Sequence, residues 1–386
     1  MKIHRLVAVA AAIASLVMLG ACGQPSAPPA ADSPAPSGTA TRSAPVKVAW
    51  QEQWDRVVAE ARKEGVVSIT ASWGPEPRQA VINAMKEKYG IDVEISPGGA
   101  AQLGQKILTE RRAGIFNYDV TVQGSNFGVN IMKPVDGFDP AEPALILPEV
   151  RDPKAWLGGE FPWFDRAHTM IPYFARLDTN LSINTRLVKE GDITAYRDLL
   201  DPRWKGKILI ADPTNVGPGS GWFRENGKDL GLDYMRTLVK QEPLFSGNDR
   251  QCVEWLANGR ASILVAGLAD PLTNFIKEGA PISIIDAKDS RVMSASSGIV
   301  SLVNRAPHPN AARLFLNWIL SKEGQTVMTR TIGLPSRRVD VPTDHILPAL
   351  LPRQDRKYTE YTEEGVAGDA EAQAQAKEIF GPALGK

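Results

Sequence analysis

The chain has 386 residues, 44 Lys and Arg against 44 Asp and Glu, 43% hydrophobic residues and two cysteines. That length buries one large core or two medium ones, and this composition excludes a disulfide scaffold and a disordered polyampholyte. Without residues 1–21 the balance is 42 positive against 44 negative side chains, so no basic excess points toward nucleic acid.

Lys2, His4 and Arg5 precede an apolar run, Leu6 to Leu19, that is too short to cross a bilayer comfortably. Residues 1–21 therefore read as an export signal. The run ends in Leu19-Gly20-Ala21-Cys22, similar to the lipobox of bacterial lipoproteins, in which Cys22 would receive the lipid. An uncleaved membrane anchor ending at a chance cysteine is the alternative. From Gly23 to Pro45 the chain has six Pro, six Ala and four Ser and almost no large apolar side chain, so nothing there can be buried to offset ordering. Residues 22–45 are expected to form a tether, spanning roughly 25–30 Å as a flexible coil. Cys252 is then the one thiol of the body, expected as a small buried hydrophobe.

Trp54, Val57, Val58 and Ala61 share a helical face that Gly65 is placed to end. The β-branched stretch Val66 to Trp73 predicts a strand, broken by Gly74-Pro75 before a helix with Val81, Ile82, Met85 and Tyr89. The cycle repeats with a strand at Ile91 to Ser96, a helix carrying Leu103, Ile107 and Leu108, and a strand at Tyr118 to Gln123. This alternation predicts a parallel sheet covered on both faces. A second run has strands at Ile208 to Ala211, Ala261 to Gly267 and Ile282 to Asp286, with helices near Asp233 to Lys240 and Arg250 to Asn258. An apolar stretch, Ser297 to Val303, leads into a helix with Ala312, Phe315, Trp318 and Ile319. Tyr173 to Asn184 reads as a strand crossing between the two units. The expected division is 46–178 plus 297–340 for one lobe and 179–296 plus 341–386 for the other. The charged, Ala/Glu-rich stretch from Arg353 is expected to pack as a helix or two on the second lobe.

In parallel sheets ligands sit beyond the carboxyl ends of strands, where helix N-termini present unpaired N–H groups. Four corners of this kind follow predicted strands: Ala71-Ser72-Trp73-Gly74, Pro97-Gly98-Gly99, Gln123-Gly124-Ser125-Asn126, and Asp212-Pro213 with Gly217 to Trp222. Ser72, Trp73, Gly99, Ser125, Gly219, Ser220 and Gly221 are the candidates: glycine allows close backbone approach, serine is a neutral donor and tryptophan stacks. Ordinary turn and capping chemistry is the alternative at each. Asp270-Pro271 places a carboxylate after the strand ending at Gly267, either to pair with a ligand amine or to cap a helix from Leu272. Asn248 is expected as a cap.

Enzyme motifs are missing. Gly217 to Gly221 has neither the Lys-Ser/Thr of a nucleotide loop nor a dinucleotide spacing, and no Gly-x-Ser-x-Gly elbow occurs. His168, His308 and His345 stand apart, without a zinc spacing. No catalytic residue, metal ligand or cofactor is nominated.

The order of pieces, "WDRVVAEARKEGVVSITASWGP", "WKGKILIADPTNVGPGSG" and "SSGIVSLVNRAPHPNAARLFLNWILSKEGQ" after a lipobox and tether, resembles the extracellular solute-binding proteins of bacterial ABC importers. The branch it resembles includes iron(III), thiamine, polyamine and phosphonate binders, and the likeness runs from about Trp50 to Val341. The resemblance implies a periplasmic-binding-protein-like fold of type II, with two α/β lobes joined by crossing strands near Tyr173 to Ser182 and Ala295 to Ile299. It implies a solute held between lobes, a permease and ATPase as partners, a monomer, and a lipid anchor at the cell envelope. Ser72, Trp73, Gly99 and Ser125 would then face Gly219, Ser220, Gly221 and the stretch from Gly267 to Asp270, with Tyr173 entering the hinge. Iron(III) binders of this branch resemble one another in adjacent tyrosines after the strand that ends here at Gly267. This chain has Leu268-Ala269-Asp270-Pro271 there and no adjacent tyrosines anywhere. The expected solute is a small organic anion or zwitterion. An iron(III) or polyamine binder of the same family, and a sensory or scaffold lipoprotein, are the alternatives.

Overall fold

A computed structural model describes residues 48–385 apart from 178–180, 216, 291, 295–296 and 354–355, and it gives the backbone but not the side chain of Asp270. The export signal, the tether and Cys22 lie outside the described residues, as do parts of both expected crossings. Every element falls in the second of two compact units, Lys47–Lys386.

Helix α1 (Ala49–Glu64) buries Val57 and Ala61 and ends at Gly65, whose φ of 76° lets its N–H reach the Ala61 carbonyl. Strand β1 (Val66–Ala71), α2 (Pro75–Tyr89), β2 (Asp92–Pro97), α3 (Ala100–Arg112) and β3 (Val120–Gln123) follow as the sequence predicts. Beyond them come the single turns α4 (Ser125–Phe127) and α5 (Pro148–Arg151) and three short strands, β4 (Ile171–Pro172), β5 (Arg176–Leu177) and β6 (Leu181–Asn184). The second run comprises β7 (Ile208–Ala211), α6 (Pro218–Leu230), α7 (Leu232–Val239), β8 (Leu244–Ser246), α8 (Asp249–Ala257), β9 (Ile263–Val265), α9 (Ala269–Lys277) and β10 (Ile282–Ile285). The chain closes with β11 (Val292–Ser294), β12 (Ile299–Leu302), α10 (Pro309–Leu320), α11 (Lys322–Ile332), β13 (Thr359–Glu360), α12 (Glu363–Ala367) and α13 (Asp369–Phe380).

Two five-stranded sheets result, in the orders β2-β1-β3-β12-β4 and β10-β6-β9-β7-β8, with a small sheet β13-β11-β5 at the hinge. Each large sheet has its own apolar core, one built around Ile69, Phe315 and Trp318, the other around Leu209, Trp222 and Phe380. The expectation of wholly parallel sheets is corrected. β1, β2 and β3 are parallel to one another, but β12 runs antiparallel to β3 and β4, and β6 antiparallel to β9 and β10. These are segments adjoining the hinge, which enter a sheet from the opposite end to the βα units.

The expected crossing strand from Tyr173 to Asn184 is two pieces with different partners. β5 pairs with β11 in the hinge sheet, while β6 sits inside the second sheet. Gly298, just before β12, has φ 72°, and a Cβ there would stand 2.5 Å from the Phe174 ring, so the hinge admits glycine alone. α10 is buried on nearly every face, from Ala311 to Leu320. Its N-terminus is pinned to α1, because the Glu64 carboxylate accepts from the N–H groups of Asn310 (3.2 Å) and Ala311 (2.7 Å).

The C-terminal stretch does not stay on the second lobe. Ala376 and Phe380 of α13 join the second core, but Tyr361 and Val366 join a first-lobe cluster with Leu103, Phe127 and Met170. Its few apolar anchors are divided between two partners, so the segment spans the lobes.

Candidate functional site

The β1–α2 corner is made by Gly74 at the N-cap and Pro75 at the first helical position, which ends β1 abruptly and leaves Ser72 exposed and Trp73 almost buried. Across from it, α9 presents Thr273, Asn274 and Lys277. The two enclose a cleft of about 480 Å³, floored by the hinge residues Phe174, Arg176, Ser297 and Gly298 and closed at one end by the C-terminus of α11 with His345. First lobe, hinge and second lobe therefore all contribute to one space.

Its polar lining is mostly neutral or cationic. Arg176 donates to the Ser297 hydroxyl at 3.2 Å, and neither it nor Lys277 forms an ion pair among the described residues. Arg330 is held by Asp344 at 3.2 Å, and among the described residues Glu76 is the one carboxylate of the lining. Among the described residues no three His, Cys, Asp or Glu side chains gather as a metal would require.

Ser72 and Trp73 line this cleft; the other described sequence candidates do not, and the side chain of Asp270 lies outside the described residues. Gly99 is the N-cap of α3, with open space where a Cβ would stand. Ser125 opens α4 and is buried. Tyr173 is fully buried beside the cleft wall, where its hydroxyl makes no well-formed hydrogen bond among the described residues and burial raises its pKa, opposed by the Trp73 indole. Gly219 is a packing position: a Cβ would stand 2.1 Å from the Ala211 carbonyl oxygen, so glycine lets α6 lie against β7. The Ser220 hydroxyl is engaged with Gly217, accepting its N–H at 3.1 Å and donating to its carbonyl at 3.0 Å. Gly221 donates its N–H to the same carbonyl at 3.1 Å. Gly267 is buried, with Leu264 and Leu272 at 2.9 and 3.0 Å from a built Cβ.

Asp270 is corrected as a helix cap. α9 begins one residue earlier, after Leu268, so Asp270 falls within its first turn. Asn248 does cap α8, accepting from Gln251 N–H at 2.9 Å. Cys252 is buried, with its thiol pKa pushed up to about 11 by burial, as a small hydrophobe should be.

Sequence reasoning did not find Arg176, Lys277 or Arg330, because a cation on a helix or strand end reads as solvated surface until the fold turns it inward. It also missed Gln123, whose side-chain amide is buried at the carboxyl end of β3 with its nitrogen unpartnered among the described residues.

Two α/β lobes around a lined cleft define a type II periplasmic binding protein. The sequence profile of bacterial extracellular solute-binding proteins matches residues 80–347, and the chain belongs to that family. It is similar to iron uptake protein A1 of Synechocystis sp., 21% identical over 283 residues that cover 66% of this chain and 75% of the relative. Iron-bound HitA of Pseudomonas aeruginosa superposes with a TM-score of 0.61 at 18% identity, covering 81% of this chain and 99% of that one. AfuA of Actinobacillus pleuropneumoniae with fructose-6-phosphate bound superposes equally, at 0.61 and 18%, covering 82% and 98%. At these identities the superpositions establish the fold.

Proposed function

We propose that this protein captures a small organic anion or zwitterion in the Trp73–Lys277 cleft and delivers it to an ABC permease and its ATPase. The carrying observation is the pair of cations, Arg176 on the hinge and Lys277 on the second lobe, that reach a cleft of mostly neutral donors without a carboxylate partner among the described residues. A bidentate guanidinium and a point-charge ammonium suit a carboxylate, phosphonate or phosphate ester. Ser72 and Trp73 are proposed as its first-lobe contacts, and Gly99, Ser125 and Gln123 as donors that come into reach on closure. A polyamine would need several carboxylates, and the lining offers Glu76. Adjacent tyrosines, the hard oxygen donors expected for iron(III), do not occur in the chain.

A solute touching both lobes binds the closed form better and shifts the hinge by that difference. The sequence from Lys2 to Cys22 supports export and a lipid anchor on Cys22, with residues 22–45 as tether, and membership of a solute-binding family supports capture without covalent chemistry on the solute. The test is a thermal-shift screen of residues 46–386 against phosphonates, sugar phosphates, organic acids, amino acids, polyamines and Fe(III). A solute at a hundred times its dissociation constant adds about 2.7 kcal/mol of stability. A shift with one organic anion, reduced in Lys277→Gln at the same solute concentration, supports the reading; a shift with Fe(III) or a polyamine alone overturns it.

A further inference from the structure

Away from that cleft, a second constellation joins the lobes. Asp369, the first residue of α13, meets three groups through one carboxylate. Its Oδ1 accepts from the Tyr361 hydroxyl at 2.7 Å and forms an ion pair with the Arg224 guanidinium at 3.3 Å, and its Oδ2 accepts from the Asn126 amide at 3.2 Å. Asn126 belongs to α4 at the end of β3 in the first lobe, Arg224 to α6 in the second, and Tyr361 to the segment running between them.

Each of the three groups has a second contact besides Asp369; the Asn126 amide oxygen accepts from the Asn130 amide at 3.3 Å. Arg224 lies over the Tyr361 ring at 4.3 Å and pairs with Glu225 at 2.8 Å, and its side chain is 16% exposed. Its Nε is buried with no hydrogen-bond partner among the described residues, so the guanidinium carries a donor that its two carboxylates do not use. Tyr361 packs on the first-lobe cluster and its phenol is held above its ordinary pKa by burial, so it remains a donor. Beside the group lies a cavity of about 330 Å³, lined by Arg224, Lys228, Gly365, Gly368, Glu371 and Gln375. A guanidinium, an amide and a hydroxyl converging from three elements on one carboxylate make an oxyanion receptor, here filled by the chain itself.

We propose that Arg224, Asn126 and Tyr361 form an inter-lobe oxyanion site, distinct from the solute cleft, for which Asp369 is the tethered ligand and a free carboxylate or phosphate the exchangeable one. With Asp369 seated, the site ties the lobes together without solute. With Asp369 withdrawn, an oxyanion from solution takes its place. The proposal stands on this geometry and does not depend on what the Trp73–Lys277 cleft binds.

The experiment is chemical rescue. Asp369→Ala is compared with the wild-type body, residues 46–386, by melting temperature and small-angle scattering in chloride buffer, then with sodium acetate or inorganic phosphate at constant ionic strength. The expected result is a melting temperature lower by about 2–4 °C and a larger radius of gyration, both restored saturably by acetate or phosphate. The wild type should respond little. The restoring effect should vanish in Asp369→Ala/Arg224→Gln and weaken in Asp369→Ala/Asn126→Ala, the second variant serving if the first does not fold. An Asp369→Ala protein as compact and stable as the wild type overturns the tie. Anions that stabilise the single and double variants alike overturn the site.

Discussion

Between its lobes this protein builds two regions from the same parts. Where Trp73 faces α9, a strand end, a helix face and the hinge leave a cleft with Arg176 and Lys277 unpaired among the described residues. Where α4 faces α6, a strand end and a helix again supply donors, but the chain's own C-terminal segment delivers Asp369 to them. The difference lies in what fills a corner once it exists: a strand-end corner creates donor capacity, and either a solute or a distant segment can satisfy it.

The C-terminal side depends on α13 being seated, which gives the largest expected effect. Phe380 is fully buried and meets Trp222, Phe223 and Phe245 edge to face. Phe380→Ala should cost about 3–5 kcal/mol in urea unfolding and should also open the Asp369 tie. A loss below about 1 kcal/mol would mean the segment is not held by this core.

Next come Gly219 and Gly99, two glycines nominated on the same grounds. Gly219→Ala must push α6 off β7 and should cost about 1–3 kcal/mol, since its Cβ would meet Ala211 O at 2.1 Å. Gly99→Ala meets nothing and should leave stability unchanged. If Gly99 N–H contacts solute, the alanine variant should bind less tightly at equal melting temperature, which separates a packing glycine from a contact glycine.

The same stretch of the chain carries a pH-sensitive tie. Asp165 has a buried side chain that accepts from Thr169 N–H and hydroxyl and from Lys133, which also bonds Glu363 of α12. Burial pushes the Asp165 carboxyl up, but the bonds from Thr169 and Lys133 outweigh it and hold the pKa below its ordinary value. A depressed folded-state pKa stabilises above the unfolded value of 3.8, and that contribution is lost as pH falls through the folded one. Asp165→Asn should therefore cost about 1–3 kcal/mol at pH 7, and the two proteins should converge as pH falls through the depressed folded-state value. A constant gap in stability across that range would contradict the assignment.

The smallest effect is expected at the open cleft. Lys277→Gln should weaken binding of an anionic solute about two- to fivefold, less at high salt, because an exposed charge contributes under about 1 kcal/mol. Equal loss at all ionic strengths would argue for direct, desolvated contact.

Legibility followed locality. Gly65, Gly74-Pro75 and Gly90 punctuate the first βα units within a few residues, so their ends were readable from sequence. The antiparallel entry of β12 and the split of Tyr173–Asn184 were not, because both depend on partners distant in sequence, β3 for β12, β11 for β5 and β9 for β6. Of the site, Ser72 and Trp73 were readable from a strand-end rule, whereas Arg176, Lys277 and Arg330 line the cleft only through the hinge and α9–α11 packing. Asp369 carried no signal at all: in sequence it is one carboxylate in an Ala/Glu-rich stretch.

The strand orders also fix when each half of the molecule can be completed. All five strands of the second sheet lie between Leu181 and Ile285, whereas the first sheet needs β12 at Ile299–Leu302 as an interior strand between β3 and β4. During synthesis from the N-terminus, the half that begins first is finished last, its β3 edge bare and α1 lacking α10. The nascent protein therefore presents unpaired strand edge and apolar helix surface until β12 and α10 are made, a long-range closure of the kind that folds slowly and calls for chaperone cover.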